Sequence, residues 1–136
     1  MATQYQDRKI SAPEIYPENQ PYWDAAAKGQ LLVKKCKACG EYHHYPRSLC
    51  PYCFSDQTEW TVAKGTGTVY TYSVLRRGSP TPYAIAYVTL DEGPSMMTNI
   101  VDCPQTPEAL QLDMPLEVTF QKQSDTVTLP IFRPGR

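Results

Sequence analysis

Two Cys-x-x-Cys pairs, Cys36-Lys37-Ala38-Cys39 and Cys50-Pro51-Tyr52-Cys53, stand ten residues apart in this chain. A segment this short cannot bury enough apolar surface to hold itself, and clustered thiols are the usual remedy. A redox Cys-x-x-Cys couple is the rival reading. Two pairs in tandem instead favour one closed tetrahedral site, with Cys36, Cys39, Cys50 and Cys53 as ligands of a structural Zn2+. Four protein thiolates leave no open position for water or substrate, so a catalytic zinc is not expected.

Each pair carries its own turn chemistry. Gly40 follows the first and can take the positive φ that a knuckle requires, while Pro51 stiffens the second. Phe54 stands after the last cysteine, so the second turn has to accept a bulky side chain. His43 and His44 lie between the pairs and could compete as ligands. With four thiolates completing the shell, they read as ordinary loop or hairpin residues.

At 136 residues the chain amounts to one domain with a small appendage. The start, MATQYQDRK, lacks the apolar run of a signal peptide, and no stretch reaches the roughly 20 apolar residues of a membrane span. We therefore expect a cytoplasmic protein with no membrane partner, in a reducing compartment where paired Cys-x-x-Cys motifs serve zinc. The formal charge is −1, and four thiolates around one Zn2+ take it to about −3. Residues 1–53 hold seven Lys/Arg against five Asp/Glu, and residues 54–136 hold six against nine. Single-strand binders need a positive groove beside their aromatics. Ten tyrosines could stack on bases, but the positive field is poor.

The organisation falls into three parts: residues 1–30 as arm and short helix, 31–60 as zinc ribbon, and 61–136 as a β domain. In PYWDAAAKG, Pro21 suits a first helical position, Ala25 to Ala27 favour helix, and Gly29 can close it. Tyr22, Trp23 and Ala26 form an apolar patch for the ribbon or for another chain. LLVKK reads as a strand leading into the first pair. From residue 65, GTGTVYTYSVLRR, PYAIAYVTL, PSMMTNIVD, LEVTFQK and TVTLPIF are β-branched and aromatic runs separated by Pro, Gly and Asp. Within the first, Val69, Thr71, Ser73 and Leu75 alternate with Tyr70, Tyr72 and Val74. Gly65 and Gly67 open it where a small barrel needs a sharp bend or close backbone approach. Five such strands match a small closed barrel, with half of a sandwich as the competing architecture. LPIFRPGR reads as a terminal strand and tail, or as an outward docking segment.

PYWDAAAKGQLLVKKCKACG, YPRSLCPYC, GTGTVYTYSVLRR, PYAIAYVTLDEG, NIVDC, LDMPLEVTF and LPIFRP together resemble the DUF35 family, over residues 20 to 134. The resemblance implies a mainly β fold, with a short helix and a rubredoxin-like zinc ribbon before a five-stranded OB-fold barrel. Two departures stand out: Phe54 where a glycine is common, and Leu112-Asp113 where Ile-Gly is common. The family also implies a companion role beside thiolase-superfamily enzymes, among them thiolases, acyltransferases, steroid side-chain aldolases and the benzoylsuccinyl-CoA thiolase. There the catalytic cysteine and histidines belong to the partner, and the OB-fold member helps seat the CoA thioester in a hetero-oligomer.

Coenzyme A needs cations for its phosphates. The candidates are Lys34, Lys35, Lys64, Arg76 and Arg77, although neighbours on a strand point opposite ways and would not share one phosphate. Tyr70, Tyr72, Tyr83 and Tyr87 read first as barrel or interface residues. Cys103 is the one cysteine outside the pairs. No histidine lies near it in sequence, and Asp102 raises rather than lowers its pKa. Two further readings stay open: a single-stranded nucleic-acid binder, and a free-standing CoA-dependent enzyme using Cys103.

Overall fold

The computed structural model describes residues 12–77 and 82–135; the first eleven residues of the expected arm lie outside them. Helix α1 (Gln20–Ala27) begins with Pro21 in its first turn and ends before Gly29, whose φ of 80° suits a residue without Cβ. Asn19, at its N-cap, does not cap it. Its Oδ1 accepts the Tyr16 amide at 2.7 Å and its Nδ2 donates to the Tyr45 hydroxyl at 2.8 Å, fastening the arm to the ribbon.

The ribbon is an antiparallel sheet of β1 (Leu32–Cys36), β2 (Tyr42–His43) and β3 (Thr58–Val62), with β1 in the middle. Its second and third strands are additions to the sequence reading, which left both segments within the metal-binding stretch. They form because β1 pairs on both sides, through Lys34 and Lys35 with His43 and Tyr42 of β2 and along its whole length with β3.

The second part is a closed barrel of β4 (Thr66–Leu75), β5 (Tyr83–Leu90), β6 (Ser95–Ile100), β7 (Pro115–Lys122) and β8 (Thr128–Pro134). The order is β4-β5-β6-β8-β7, and β6 meets β8 in parallel while the other pairs are antiparallel. This is the Greek-key closure of an OB-fold, so the sandwich alternative falls away. Burial alternates strictly along β5 and β6: Ala84, Ala86, Val88 and Leu90 point inward, as do Met96, Thr98 and Ile100. A bulge changes the phase in β4, where Val69 pairs with Val88 but Thr71 pairs with Tyr87. Gly67, Val69, Tyr72 and Val74 therefore turn inward, and neither alternating set read from the sequence is the buried one. Gly67 is where backbones meet, since a Cβ there would run into the Thr89 carbonyl.

One apolar cluster runs through both parts, from Tyr22, Trp23, Leu31 and Val33 to Val69, Leu90, Ile100, Leu110, Leu116 and Phe132. Each fully buried side chain of this size stabilises by about 1.5–3 kcal/mol. Helix α1 packs against β8 and β7, so the apolar patch of Tyr22, Trp23 and Ala26 is used inside the chain.

Candidate metal centre and barrel face

Two turns of the same design carry the thiols. The Gly40 amide donates to the Cys36 carbonyl at 2.8 Å, and the Phe54 amide donates to the Cys50 carbonyl at 2.8 Å. The residues closing the turns both have positive φ, 81° for Gly40 and 64° for Phe54. Phe54 thus occupies a glycine conformation and is 76 % exposed. Asp113, the other departure from the family pattern, likewise takes φ 63° where glycine is common.

The four sulfurs lie within 4.8 Å of one another, with 3.6 Å between Cys36 and Cys53 and 3.7 Å between Cys39 and Cys50. A regular tetrahedron of Zn–S bonds of ~2.3 Å has edges of about 3.8 Å, close to the two shorter separations, so the four-thiol donor set fits Zn2+. Amides support the sulfurs: that of Cys39 lies 3.5 Å from the Cys36 Sγ and that of Tyr52 lies 3.4 Å from the Cys50 Sγ. The Cys39 amide holds the Cys36 thiol down to about 7 against its burial. Cys39 is pushed up to about 12, because burial and the three neighbouring sulfurs outweigh the Glu41 amide. Cys53 is raised as well, with Cys36 and Cys50 among the causes, so a divalent ion would displace protons from these thiols as it binds.

Neither histidine joins the cluster. His43 is buried in β2, where its Nε2 accepts the Arg47 amide at 3.2 Å and burial lowers its pKa. His44 sits 3.0 Å from the Tyr22 hydroxyl, among the rings of Tyr22 and Tyr45. Trp23 donates to the same Tyr45 hydroxyl that Asn19 reaches, at 2.8 Å.

The cations singled out for coenzyme A are dispersed. Lys34 is buried, with its Nζ 4.5 Å from the centre of the Trp60 ring, and burial lowers its pKa. Lys35 lies over the Tyr42 ring at 5.6 Å. Lys64, exposed, precedes β4, and its amide donates to Glu92 at 2.9 Å. Arg76 and Arg77 are exposed just beyond the other end of that ten-residue strand. Lys64 and the two arginines therefore cannot converge on one phosphate. Cys103 is half-buried in the β6–β7 connection, where burial and then Asp102 raise its thiol; Gln105 Nε2 lies 3.8 Å from its sulfur.

The sequence reading named Tyr70 and Tyr87 as barrel or interface residues but not Met97, and all three lie on the barrel's outer wall. Tyr70 is 68 % exposed, Met97 61 % and Tyr87 46 %. Tyr87 pairs directly with Met97 on one side and with Thr71 on the other. The bulge turns Tyr70 and Thr71 outward together, which explains why period-two counting gave no signal.

Comparison with known proteins fits this layout. Residues 23–59 match the model of the ChsH2 rubredoxin-like zinc ribbon domain, and residues 60–121 that of the ChsH2 C-terminal OB-fold domain. A DUF35 domain-containing scaffold protein of Methanocaldococcus jannaschii is 36 % identical over 68 % of this chain and 68 % of its own length. The chain belongs to the DUF35 family. A solved DUF35 structure, the "Ltp2-ChsH2(DUF35) aldolase", superposes with a TM-score of 0.77 at 33 % identity, over 90 % of this chain and 98 % of that one. The benzoylsuccinyl-CoA thiolase subunit BbsA of Thauera aromatica is 27 % identical over 68 % of this chain and 74 % of its own. A Thermomonospora curvata protein named "Probable enoyl-CoA hydratase alpha subunit" is 33 % identical over 90 % of this chain. This chain spans 39 % of that relative's length. Among the described residues, no helix is long and apolar enough to cross a membrane.

Proposed function

We propose that this chain is the non-catalytic, zinc-containing subunit of a thiolase-like complex that cleaves or forms a carbon–carbon bond in an acyl-CoA. Benzoylsuccinyl-CoA is one candidate substrate, and the cytoplasm is the proposed location. The observation that carries the reading is the shared ribbon and OB-fold layout with proteins named as a thiolase subunit and as one chain of an aldolase. The side chains agree with a partner that brings the chemistry. A thioester-cleaving nucleophile needs a base beside it, yet Cys103 has a raised pKa and both histidines are committed to the ribbon. In the complex, Zn2+ on Cys36, Cys39, Cys50 and Cys53 holds the ribbon in shape. Among the proposed phosphate ligands, Arg76 and Arg77, exposed just beyond β4, are favoured over Lys34 and Lys35, which lie over aromatic rings.

Affinity purification from the native host in gentle salt, with bound protein and nucleic acid both identified, tests the reading. A stoichiometric thiolase-superfamily chain is the expected result, with acyl-CoA turnover only when both chains are present. Turnover by the isolated chain that disappears in Cys103→Ala would overturn it, as would recovery of oligonucleotide in place of a protein subunit. Arg76→Ala and Arg77→Ala in the complex are expected to raise KM for the CoA thioester several-fold while leaving kcat nearly unchanged.

A further inference from the structure

None of the residues in β4, β5 or β6 is Asp, Glu, Lys or Arg, in a chain that is 20 % charged. The opposite wall differs: β7 and β8 carry Glu117, Lys122 and Arg133, and Arg133 reaches Glu117 at 2.9 Å. That wall also receives α1. On the uncharged wall, Thr71, Tyr87 and Met97 form one row across three strands, and Ser73, Ile85 and Asn99 form the next. Tyr70 flanks the first row at the bulge, and Leu75 lies two residues beyond Ser73 on β4; both are exposed. The loop bonded alongside β4 adds Leu112, 62 % exposed, one residue before the Asp113 amide that donates to Val69.

Single exposed apolar residues are ordinary, but a contiguous set marks a surface that something covers. Tyrosine and methionine are enriched at the buried centres of protein interfaces, and charged residues are depleted there. The absence of charge also selects the occupant. The β5–β6 wall is the face with which OB-folds commonly bind oligonucleotides, and a polyanion needs cations that these strands lack. Barrel closure removes free strand edges, so the contact has to be made by side chains.

We infer that the uncharged β4–β5–β6 wall, centred on Tyr87 and Met97 with Tyr70 beside them, seats an uncharged apolar surface of the thiolase-like subunit. This rests on the function proposed above and assigns its contact surface. Hydrophobic contact between uncharged walls is largely insensitive to salt, unlike binding through phosphates or ion pairs.

The test uses the zinc-loaded full chain and the thiolase-superfamily subunit purified from the host, titrated by calorimetry in 0.15 M and 0.5 M salt as approximate end points. The expected Kd changes less than about threefold between them. Tyr87→Lys and Met97→Lys are each expected to weaken binding about 30-fold or more, and Lys122→Ala on the opposite wall to leave it unchanged. Should a lysine variant fail to give the native circular dichroism spectrum, Tyr87→Ala and Met97→Ala replace it, with an expected loss of about fivefold or more. Unchanged affinity in folded variants overturns the surface assignment and leaves the subunit reading standing. Failure to recover any thiolase-superfamily subunit overturns both. A dimer of this chain that Tyr87→Lys dissociates, or oligonucleotide binding that the same variant abolishes, gives the wall another occupant and overturns the inference.

Discussion

His44 shows how a residue without a catalytic or metal role can still set the conditions under which the ribbon holds. Its ring lies among Tyr22 and Tyr45, and burial, with a smaller contribution from His43, pushes its pKa down to about 4. In the unfolded chain it titrates near ~6.5. Between those values the unfolded state binds the extra proton, so stability falls as the pH drops from about 6.5 towards 4 and is fully present above that window. The whole shift corresponds to on the order of 3 kcal/mol. We predict that His44→Phe, which keeps a ring in place, flattens the pH dependence of the urea midpoint across this window. Parallel profiles for the two proteins would show that other groups govern acid stability. Phe54 and Asp113 carry a different lesson. The sequence marks both as departures from a glycine pattern, and both retain the glycine backbone conformation. Their φ is set by the turn's hydrogen bonds, which do not depend on the side chain.

Among the elements, β4 decides most about the barrel. It pairs with β5 along its length and with β7 at its start, and this is possible because the chain passes against β5 at Gly67. A Cβ at Gly67 would strike the Thr89 carbonyl and lie 2.9 Å from Val88 Cγ2. A backbone obstacle cannot rotate away, so Gly67→Ala has to separate the strands. The expected cost is about 1–3 kcal/mol in urea unfolding of the zinc-loaded protein. An unchanged midpoint would mean that the two strands do not approach this closely. Gly65 and Gly67 were legible in sequence as sites of close approach, because only glycine removes the side chain altogether. The bulge was not, since Tyr70 and Thr71 are both good strand residues and only the register with β5 reveals the extra one.

For the whole molecule, the shared core couples metal to barrel. Leu31, Leu32 and Val33 of the ribbon belong to the same cluster as Val69 and Phe132. Removing zinc with a chelator, or replacing Cys36 by serine, is predicted to unfold the ribbon and to weaken the barrel with it, by on the order of 5 kcal/mol or more. Thermal unfolding followed by tryptophan fluorescence and by circular dichroism checks this. An unchanged spectrum and Tm after metal removal would refute a structural role for the site. Returning Zn2+ should release protons in weakly buffered solution, because ligand thiols give up their protons on binding the metal.

By itself the sequence determined what is local. The spacing of Cys36, Cys39, Cys50 and Cys53 specifies one four-thiol cluster, Pro21 and Gly29 bound the helix, and Pro, Gly and Asp separate the five barrel strands. These features lie in adjacent residues, whose turn geometry and rotamer preferences act whatever the rest of the chain does. Only the tertiary structure decided the parallel meeting of β6 with β8, the strands β2 and β3, and the dispersal of Lys34, Lys35, Lys64, Arg76 and Arg77. It also decided which side of β4 faces water, and with it the exposure of Tyr70 beside Tyr87 and Met97. The physical reason is that strand pairing exchanges backbone hydrogen bonds between remote segments, and a shift of one residue in that exchange reverses which side chains are buried.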